Sequence, residues 1–316
     1  MAISWKWYTL VLVVLDWIIV FIGVVGNILL LIALTKYKTI KNPITRLLFI
    51  NLTVSDIGVL VVRHSVQVVQ IYAEGKWIFG EIMCKLIPPF SRTFLTVSIV
   101  TLVAISRHRY CCIVDVLKYH PSMRRTIIFL ASTWVTVLAL YVALDIPFRE
   151  VDQKTQRCKD TLSPMKYVIF VISEKALYVL CFVCIFYMFR KIQRVLWGSL
   201  RIQKDSNIRR QFSPSVQTLR LLKPTVVVLL ITLCPAWILH IVAIMSRKVL
   251  LQRYLLYQVI GILMVCNSAG NPIIYVIMSR SFKQTFREIL RPFWRILTSR
   301  RRNAQHDHCC LPLDTL

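Results

Sequence analysis

Residues 94–110 read FLTVSIVTLVAISRHRY, and this stretch decides the fold. An apolar and hydroxyl-bearing run, 94–105, ends in the adjacent cationic or protonatable side chains Arg107, His108 and Arg109. Long basic side chains at the end of a membrane-spanning helix reach the polar interface of the bilayer. The stretch therefore predicts the inner end of a transmembrane helix.

The composition of the whole chain also indicates a membrane protein. Of the 316 residues, 57% are hydrophobic and 17% are charged, whereas soluble domains carry about 25% charged residues. Seven apolar runs are long enough for a helix to cross a hydrocarbon core of about 30 Å. They lie near 10–34, 45–72, 83–107, 126–147, 165–189, 221–245 and 254–278. The first run is too long for a signal peptide, so we interpret it as a retained helix.

These runs predict an all-α membrane protein, a seven-transmembrane helix bundle with a short amphipathic eighth helix. The predicted organisation is a short extracellular N-terminus (1–9), a seven-transmembrane domain (10–280), and an amphipathic helix with a cytoplasmic tail (281–316). The eighth helix is predicted because apolar residues from Phe282 to Leu297 recur at helical spacing opposite lysines and arginines.

The distribution of the net charge of +26 sets the orientation. Segments 35–46, 107–125, 190–223 and 280–316 hold 26 of the 40 lysines and arginines, with only five acidic residues. By the positive-inside rule these segments are cytoplasmic and the N-terminus is extracellular. The same charge suits an anionic inner leaflet, so we expect contact with membrane lipids and no nucleic-acid binding. The predicted location is the plasma membrane.

Several polar residues interrupt the apolar runs at similar depths. Asp56 follows NLTVS in the second run, and a buried carboxylate must pair, become neutral or meet a cation. Asn27, Ser98, Asn267, Ser268 and Asn271 offer further oxygens near the same depth. Oxygen ligands suit a small hard cation, but the same groups also join helices by hydrogen bonds. Both interpretations stay open on the chemistry alone.

Six motifs in order along the chain resemble those of rhodopsin-like (class A) G-protein-coupled receptors, and they assign no subfamily. They are Gly26–Asn27, NLTVSD ending at Asp56, Trp77-x-Phe79-Gly80 before Cys84, His108-Arg109-Tyr110, Trp134, and NPIIY from Asn271 to Tyr275. A short basic and aromatic segment, SRSFKQTFREIL, follows. The resemblance covers nearly the whole chain. The charged segment before the fifth run and the polar residues of the outer helix halves resemble peptide receptors more than lipid receptors.

The resemblance assigns residues to two roles. It implies an allosteric sodium site at Asp56, Ser98, Asn267, Ser268 and Asn271. It implies G-protein coupling and activation through His108, Arg109, Tyr110, Tyr187, Pro235, Asn271, Pro272 and Tyr275. No other cofactor is expected, and Val265 stands where opsins have their retinal lysine, which argues against a photopigment.

Of the ten cysteines, only Cys84 and Cys158 lie on the extracellular side in this topology. An extracellular pair is expected to be oxidised, so we predict a disulfide, with two free thiols as the alternative. Cys309 and Cys310 in the tail are candidates for palmitoylation.

Some positions depart from the family pattern. His108 replaces the usual acidic residue, and an imidazole cannot pair with Arg109 as a carboxylate does. The hypothesis that follows is raised basal activity, which His108→Asp should lower. Leu233 stands where the family has a tryptophan, Trp237 lies beyond Pro235, and Val179 replaces a common proline.

A ligand cavity is expected among the outer halves of the helices. Ser91 stands where amine receptors have an aspartate, so a biogenic amine is not expected. The predicted ligand-binding residues are Arg63, His64, Gln67, Ser91, Arg92, Glu174 and His240. Arg63 and Arg92 suit a ligand carboxylate, with Asp145 and Glu174 as alternative intramolecular partners. A peptide with an acidic or amidated end is the predicted ligand.

The predicted function is activation of heterotrimeric G proteins by an extracellular ligand, a neuropeptide-like peptide. The alternative is a receptor that binds ligand without signalling, as a scavenger or dimer partner. A transporter is disfavoured because no inverted repeat is visible, and no nucleophile–base pair supports an enzyme. Arrestin and a PDZ protein, the latter at the terminal residues DTL, are further candidate partners.

Overall fold

The computed structural model describes residues 7–63, 76–115, 122–202, 206–245 and 250–292. In these ranges seven helices are long and apolar enough to cross a membrane. They are α1 (Trp7–Thr35), α2 (Pro43–Gly58), α3 (Gly80–Ile113), α4 (Met123–Asp145), α5 (Pro164–Ile202), α6 (Ser206–Met245) and α7 (Leu250–Met278). A shorter helix, α8, covers residues 280–292. The prediction of a seven-helix bundle with an eighth helix is confirmed.

The helices extend beyond the apolar runs that predicted them. α5 continues to Ile202 and α6 begins at Ser206, whereas the sequence predicted spans 165–189 and 221–245. Hydropathy marks only the part of a helix suited to hydrocarbon, while backbone hydrogen bonds continue through polar turns. α2 differs in another way, because it ends at Gly58 and continues as a π-helical turn, Val59–Arg63.

The start of α2 is fixed by local sequence. The side chain of Asn42 caps the helix by accepting a hydrogen bond from the backbone nitrogen of Thr45 (2.9 Å). Pro43 occupies the first helical position, where its missing N–H costs nothing. The Thr45 hydroxyl donates to the same Asn42 oxygen (3.0 Å), so its position is fixed too.

α3 is the central helix and packs against α2, α4, α5 and α6, while α1 packs against α2 and α7. Gly58 permits the close approach of α2 and α3, since a Cβ there would lie 2.1 Å from the ring of Phe94. Trp134 on α4 donates to Asn51 (2.9 Å), which donates to Thr101 on α3 (2.7 Å). Such buried hydrogen bonds hold helices together in a bilayer, where lipid tails are as apolar as the helix surfaces and the hydrophobic effect does not drive helix association.

Large apolar side chains cover the outside of the bundle. Phe21, Val135 and Ile277 are 69%, 69% and 73% exposed. Asn27, Asp56 and other polar residues lie inside and are fully buried. Apolar residues outside and polar residues inside are what a lipid environment requires.

A β-hairpin connects α4 to α5. A 3₁₀ turn, Ile146–Phe148, leads into β1 (Arg149–Asp152), which pairs antiparallel with β2 (Arg157–Asp160). The sequence predicted a loop here, and it did not predict the strands. The predicted Cys84–Cys158 disulfide is confirmed and ties β2 to the start of α3. We call this end of the bundle the hairpin end, and the opposite end, where α8 packs, the Arg109 end.

Helix α8 has the predicted amphipathic character. Phe282 is buried against the bundle, while Lys283 and Arg287 are exposed. The ring centroid of Phe282 lies 5.8 Å from that of Tyr275 at the end of α7. The tail beyond residue 292, including Cys309, Cys310 and the terminal DTL, lies outside the described residues.

Candidate functional site

A cavity of about 230 Å³ lies among α3, α5, α6 and α7, near the hairpin. One part of its wall is apolar and the other polar. The apolar residues that line it are Val59, Pro88, Leu95, Ile260 and Met264, and the polar ones are Ser91, Arg92, Arg149, Tyr167, Glu174, Lys175 and His240. Four predicted ligand residues, Ser91, Arg92, Glu174 and His240, therefore lie together.

Ion pairs organise the side of the cavity next to the hairpin. The Nη1 atom of Arg92 lies 3.1 Å from Oδ1 of the buried Asp145. Arg149 bridges Asp145 (3.5 Å) and Asp160 (3.6 Å). The guanidinium of Arg92 also stacks on the ring of Phe170, 4.8 Å from its centroid. Arg92 thus has the intramolecular partner that the sequence left open as an alternative.

A second polar cluster lies on α5. One carboxylate oxygen of Glu174 accepts hydrogen bonds from the hydroxyls of Tyr141 and Tyr178, both at 3.0 Å. The other accepts from the ammonium of Lys175 at 2.6 Å. The Thr96 hydroxyl lies 2.9 Å from that of Tyr141 and 2.8 Å from that of Tyr178. Glu174 therefore forms an ion pair with its neighbour Lys175.

Beneath this cluster an aromatic stack joins α5 to α6. The ring of Trp237 stacks on Tyr178, with centroids 5.2 Å apart and an interplanar angle of 27°. It also lies 5.4 Å from Phe182, one turn further along α5. Trp237 comes two residues after Pro235, whose missing N–H removes one backbone hydrogen bond from α6. The position of the family's usual tryptophan is held by the buried Leu233.

The segment before α3 supports the hairpin. The indole of Trp77 donates to the backbone oxygen of Gly80 (2.7 Å), and the backbone nitrogen of Trp77 donates to the backbone oxygen of Gln156 (2.7 Å). Gly80 has φ of +76°, a conformation that favours glycine. The hairpin's charges also pair, since Lys159 lies 3.2 Å from Glu150 and 3.6 Å from Asp152.

These contacts shift two pKa values in the hairpin. The backbone N–H of Lys154 donates to Asp152, and this is the main cause that lowers the pKa of the Asp152 carboxyl. The hydrogen bond to Glu150, followed by the charge of Asp152, raises the pKa of Lys159. Both residues therefore keep their charges over the physiological pH range.

Asp56 lies at the middle of the bundle, with the polar residues predicted around it. Oγ of Ser98 on α3 donates to Asp56 Oδ1 (3.1 Å), and Nδ2 of Asn271 on α7 donates to Oδ2 (2.6 Å). Asn267 and Ser268 are buried on the same helix. The Asn27 amide donates to the backbone oxygen of Ser268 (3.1 Å).

At the Arg109 end, Arg109 forms a hydrogen bond with α2. Its guanidinium donates to the Thr45 hydroxyl, which donates to the Asn42 side chain at 3.0 Å. His108 is buried beside it, with Nδ1 4.0 Å from the sulfur of Cys112. Arg109 is thus held inside the bundle through a hydroxyl, although no carboxylate precedes it in the sequence.

Of the other predicted activation residues, Tyr110, Tyr187 and Tyr275 lie toward this end. Tyr275 is buried against Phe49, with ring centroids 5.3 Å apart, and Pro272 lies within α7. Tyr187 is 56% exposed on α5, and the ammonium of Lys191 lies 5.7 Å from its ring centroid. Tyr110 is partly buried at the end of α3.

Some predicted residues lie outside the described side chains, and some contacts were not foreseen. The side chains of Arg63, His64 and Gln67 are outside the described part of the chain. Sequence reasoning missed Thr45, Thr96, Tyr141, Tyr178 and Arg149. For the four hydroxyl-bearing residues, the available signal is a hydroxyl inside an apolar helix, which must find a hydrogen-bond partner.

Comparison with known proteins identifies the class of protein that this fold and these motifs define. The profile of the 7 transmembrane receptor (rhodopsin family) matches residues 26–275. The chain therefore belongs to the rhodopsin family of seven-transmembrane receptors, which are receptors and not enzymes.

Two relatives of this chain are named as peptide receptors. It is 27% identical over 295 residues to the QRFP-like peptide receptor of Branchiostoma floridae, a match covering 87% of this chain and 76% of that protein. It is 25% identical over 294 residues to neuropeptide Y receptor type 2 of Sus scrofa, covering 86% of this chain and 74% of that protein.

Proposed function

We propose that this protein is a plasma-membrane receptor for an extracellular peptide and that it activates heterotrimeric G proteins. The family membership and the two peptide-receptor relatives support the proposal. In the proposed orientation the hairpin end is extracellular and the Arg109 end is cytoplasmic, in agreement with the basic residues concentrated at the latter.

The single observation that carries the peptide proposal is the cavity itself. Its volume of about 230 Å³ is below the roughly 300–1,000 Å³ typical of sites that enclose a whole small molecule. Such a cavity accepts one end of a larger ligand, with the remainder lying on the hairpin and rim. A peptide end also supplies both an apolar side chain for Leu95 and Met264 and polar groups for Arg92 and Lys175.

The charges around the cavity favour an amidated end over a free carboxylate. Among the described residues, Arg92 and Arg149 are paired with Asp145, and Lys175 is paired with Glu174. A ligand carboxylate would have to replace one of these buried acids, which leaves an uncompensated charge. A neutral terminal amide donates and accepts hydrogen bonds without adding a charge.

We further infer a sodium site at Asp56. The carboxylate of Asp56 and the hydroxyls of Ser98 and Ser268 are buried oxygen ligands of the hard type that such an ion prefers. The Asn271 amide, which donates to Asp56, would supply a further oxygen to hold the ion. When bound, the ion would supply a positive charge that compensates the carboxylate.

The test is G-protein activation in cells that express the intact chain or Arg109→Ala at matched surface levels. A panel of synthetic peptides, each made with a free and an amidated C-terminus, would be applied to both. We expect the intact chain to respond to an amidated peptide and Arg109→Ala to be silent. Binding of a peptide without activation of any G protein would support a non-signalling receptor instead.

A further inference from the structure

The contacts between the cavity and α6 form one continuous route. It begins at Lys175, which lines the cavity and pairs with Glu174 at 2.6 Å. Glu174 accepts from the Tyr178 hydroxyl at 3.0 Å, and the Tyr178 ring stacks on Trp237. The ammonium of Lys175 also lies 5.2 Å from the centroid of the Tyr178 ring.

Each step of this route is buried and directional. Tyr178 is 1% exposed and Trp237 is 4% exposed, so neither ring can move without displacing a neighbour. Hydrogen bonds from three helices hold the Tyr178 hydroxyl, through Thr96 on α3, Tyr141 on α4 and Glu174 on α5. The face of the same ring positions Trp237 on α6.

We propose that Tyr178 and Trp237 transmit occupancy of the cavity to α6, replacing the family's tryptophan at position 233. A hydrogen-bond acceptor of the ligand that binds the Lys175 ammonium competes with Glu174 for it. The Glu174 carboxylate and the Tyr178 hydroxyl then rearrange, the stack on Trp237 loosens, and α6 moves beyond Pro235. Without ligand, the stack holds α6 in its inactive arrangement. The inference rests on the proposed receptor function.

The test measures directly how the route is coupled to the position of α6. The intact chain and its variants would be purified in lipid nanodiscs without ligand. A nitroxide amino acid at each of the exposed positions 124 on α4 and 223 on α6 would report the separation of the two helices at the Arg109 end by pulsed electron spin resonance. Nucleotide exchange on a purified G protein would be measured on the same samples.

The main variant is Tyr178→Phe, which keeps the ring and removes the hydroxyl. We expect it to increase the separation and to raise basal exchange about fivefold to tenfold, the ratio expected for the loss of a buried hydrogen bond. Lys175→Gln should have a similar effect. The double variant should exceed neither single variant, because both act on one route.

The matched control is Tyr37→Phe. It also removes a phenol, but Tyr37 lies between α1 and α2, is 39% exposed, and has no described contact with the cavity or α6. We expect its separation and exchange to stay within about twofold of those of the intact chain, the range of small changes outside a coupled route. Thermal melting would show whether each variant is folded. If Tyr178→Phe or Lys175→Gln is unfolded, Trp237→Phe takes its place as the route variant.

The outcomes separate this inference from the proposed function. A larger separation without any nucleotide exchange would support the route and contradict coupling to that G protein. An unchanged separation in folded Tyr178→Phe and Lys175→Gln would overturn the route, whatever the exchange rate. Equal effects of Tyr37→Phe and Tyr178→Phe, or additive effects in the double variant, would overturn it as well.

Discussion

At the scale of single residues, Arg109 shows how a missing acid is replaced. Its guanidinium donates to Thr45, which is fixed in turn by the Asn42 cap of α2. A hydrogen bond from a charged group is worth about 1.5–3 kcal/mol. Thr45→Val removes the acceptor and keeps the shape. We expect it to raise basal G-protein activation on the order of tenfold, measured as nucleotide exchange without ligand.

Thr45→Ser is the control for this prediction, because serine keeps the hydroxyl. It should signal at the level of the intact chain. If Thr45→Val and Thr45→Ser have the same basal activity at matched expression, the Thr45 hydroxyl does not restrain Arg109.

His108 leads to a second prediction at this scale. It is buried next to Arg109 at the position where the family has an acid. A carboxylate there would pair with the guanidinium and stabilise the inactive arrangement. We expect His108→Asp to lower basal nucleotide exchange on the order of tenfold, the ratio that about 1.4 kcal/mol gives.

The control for His108 is His108→Asn, which is neutral and of similar length to aspartate. It should leave basal exchange close to that of the intact chain, since only the negative charge attracts Arg109. A decrease of the same size with asparagine would assign the effect to packing and not to charge.

At the scale of elements, the hairpin depends on the disulfide between Cys84 and Cys158. The bond closes a loop with a sequence separation of 74, and disulfides of this kind contribute about 2–4 kcal/mol to stability. We expect the double variant Cys84→Ser, Cys158→Ser to melt at a lower temperature in nanodiscs. It should also weaken peptide binding, because Arg149 at the start of β1 lines the cavity.

Cys184→Ser serves as the reference for that measurement, since Cys184 is a free, exposed cysteine on α5. It should melt as the intact chain does. A double variant that melts at the same temperature as Cys184→Ser would show that the hairpin is held without the disulfide.

The elements also show what the sequence could predict. Seven apolar runs and the basic ends specify the bundle, because length and hydropathy are local properties of a segment. The hairpin was missed because its strands are four residues each and rest on cross-strand charge pairs such as Arg149 with Asp160. The π-helical turn after Gly58 has no signal in hydropathy at all.

The candidate site was predictable in its composition and less so in its pairing. Arg92, Glu174 and His240 were expected at the cavity because ionisable residues are costly in lipid. Their partners depend on how the helices are rotated about their axes, which a single sequence does not report. The sequence therefore did not predict that Lys175 pairs with Glu174 or that Tyr178 stacks on Trp237 of α6.

At the scale of the whole molecule, buried polar groups form a discontinuous line from the cavity to the Arg109 end. The cluster at Glu174, the cluster at Asp56 and the contact at Arg109 each join different helices. Because each joins at least two helices, a change in relative helix position must rearrange them. These clusters are therefore where a ligand, an ion and a G protein would influence one another's binding.

A sodium ion at Asp56 would change the stability of the whole bundle. An ion that binds only the inactive arrangement stabilises that arrangement by mass action. We therefore expect the melting temperature in nanodiscs to rise with NaCl concentration and to rise less with choline chloride at equal ionic strength. Asp56→Asn removes the carboxylate and should abolish the difference between the two salts. Ser98→Ala should reduce it, since Ser98 contacts Asp56 at 3.1 Å. An equal salt response of the intact chain and Asp56→Asn would mean that these residues only join α2, α3 and α7 by hydrogen bonds.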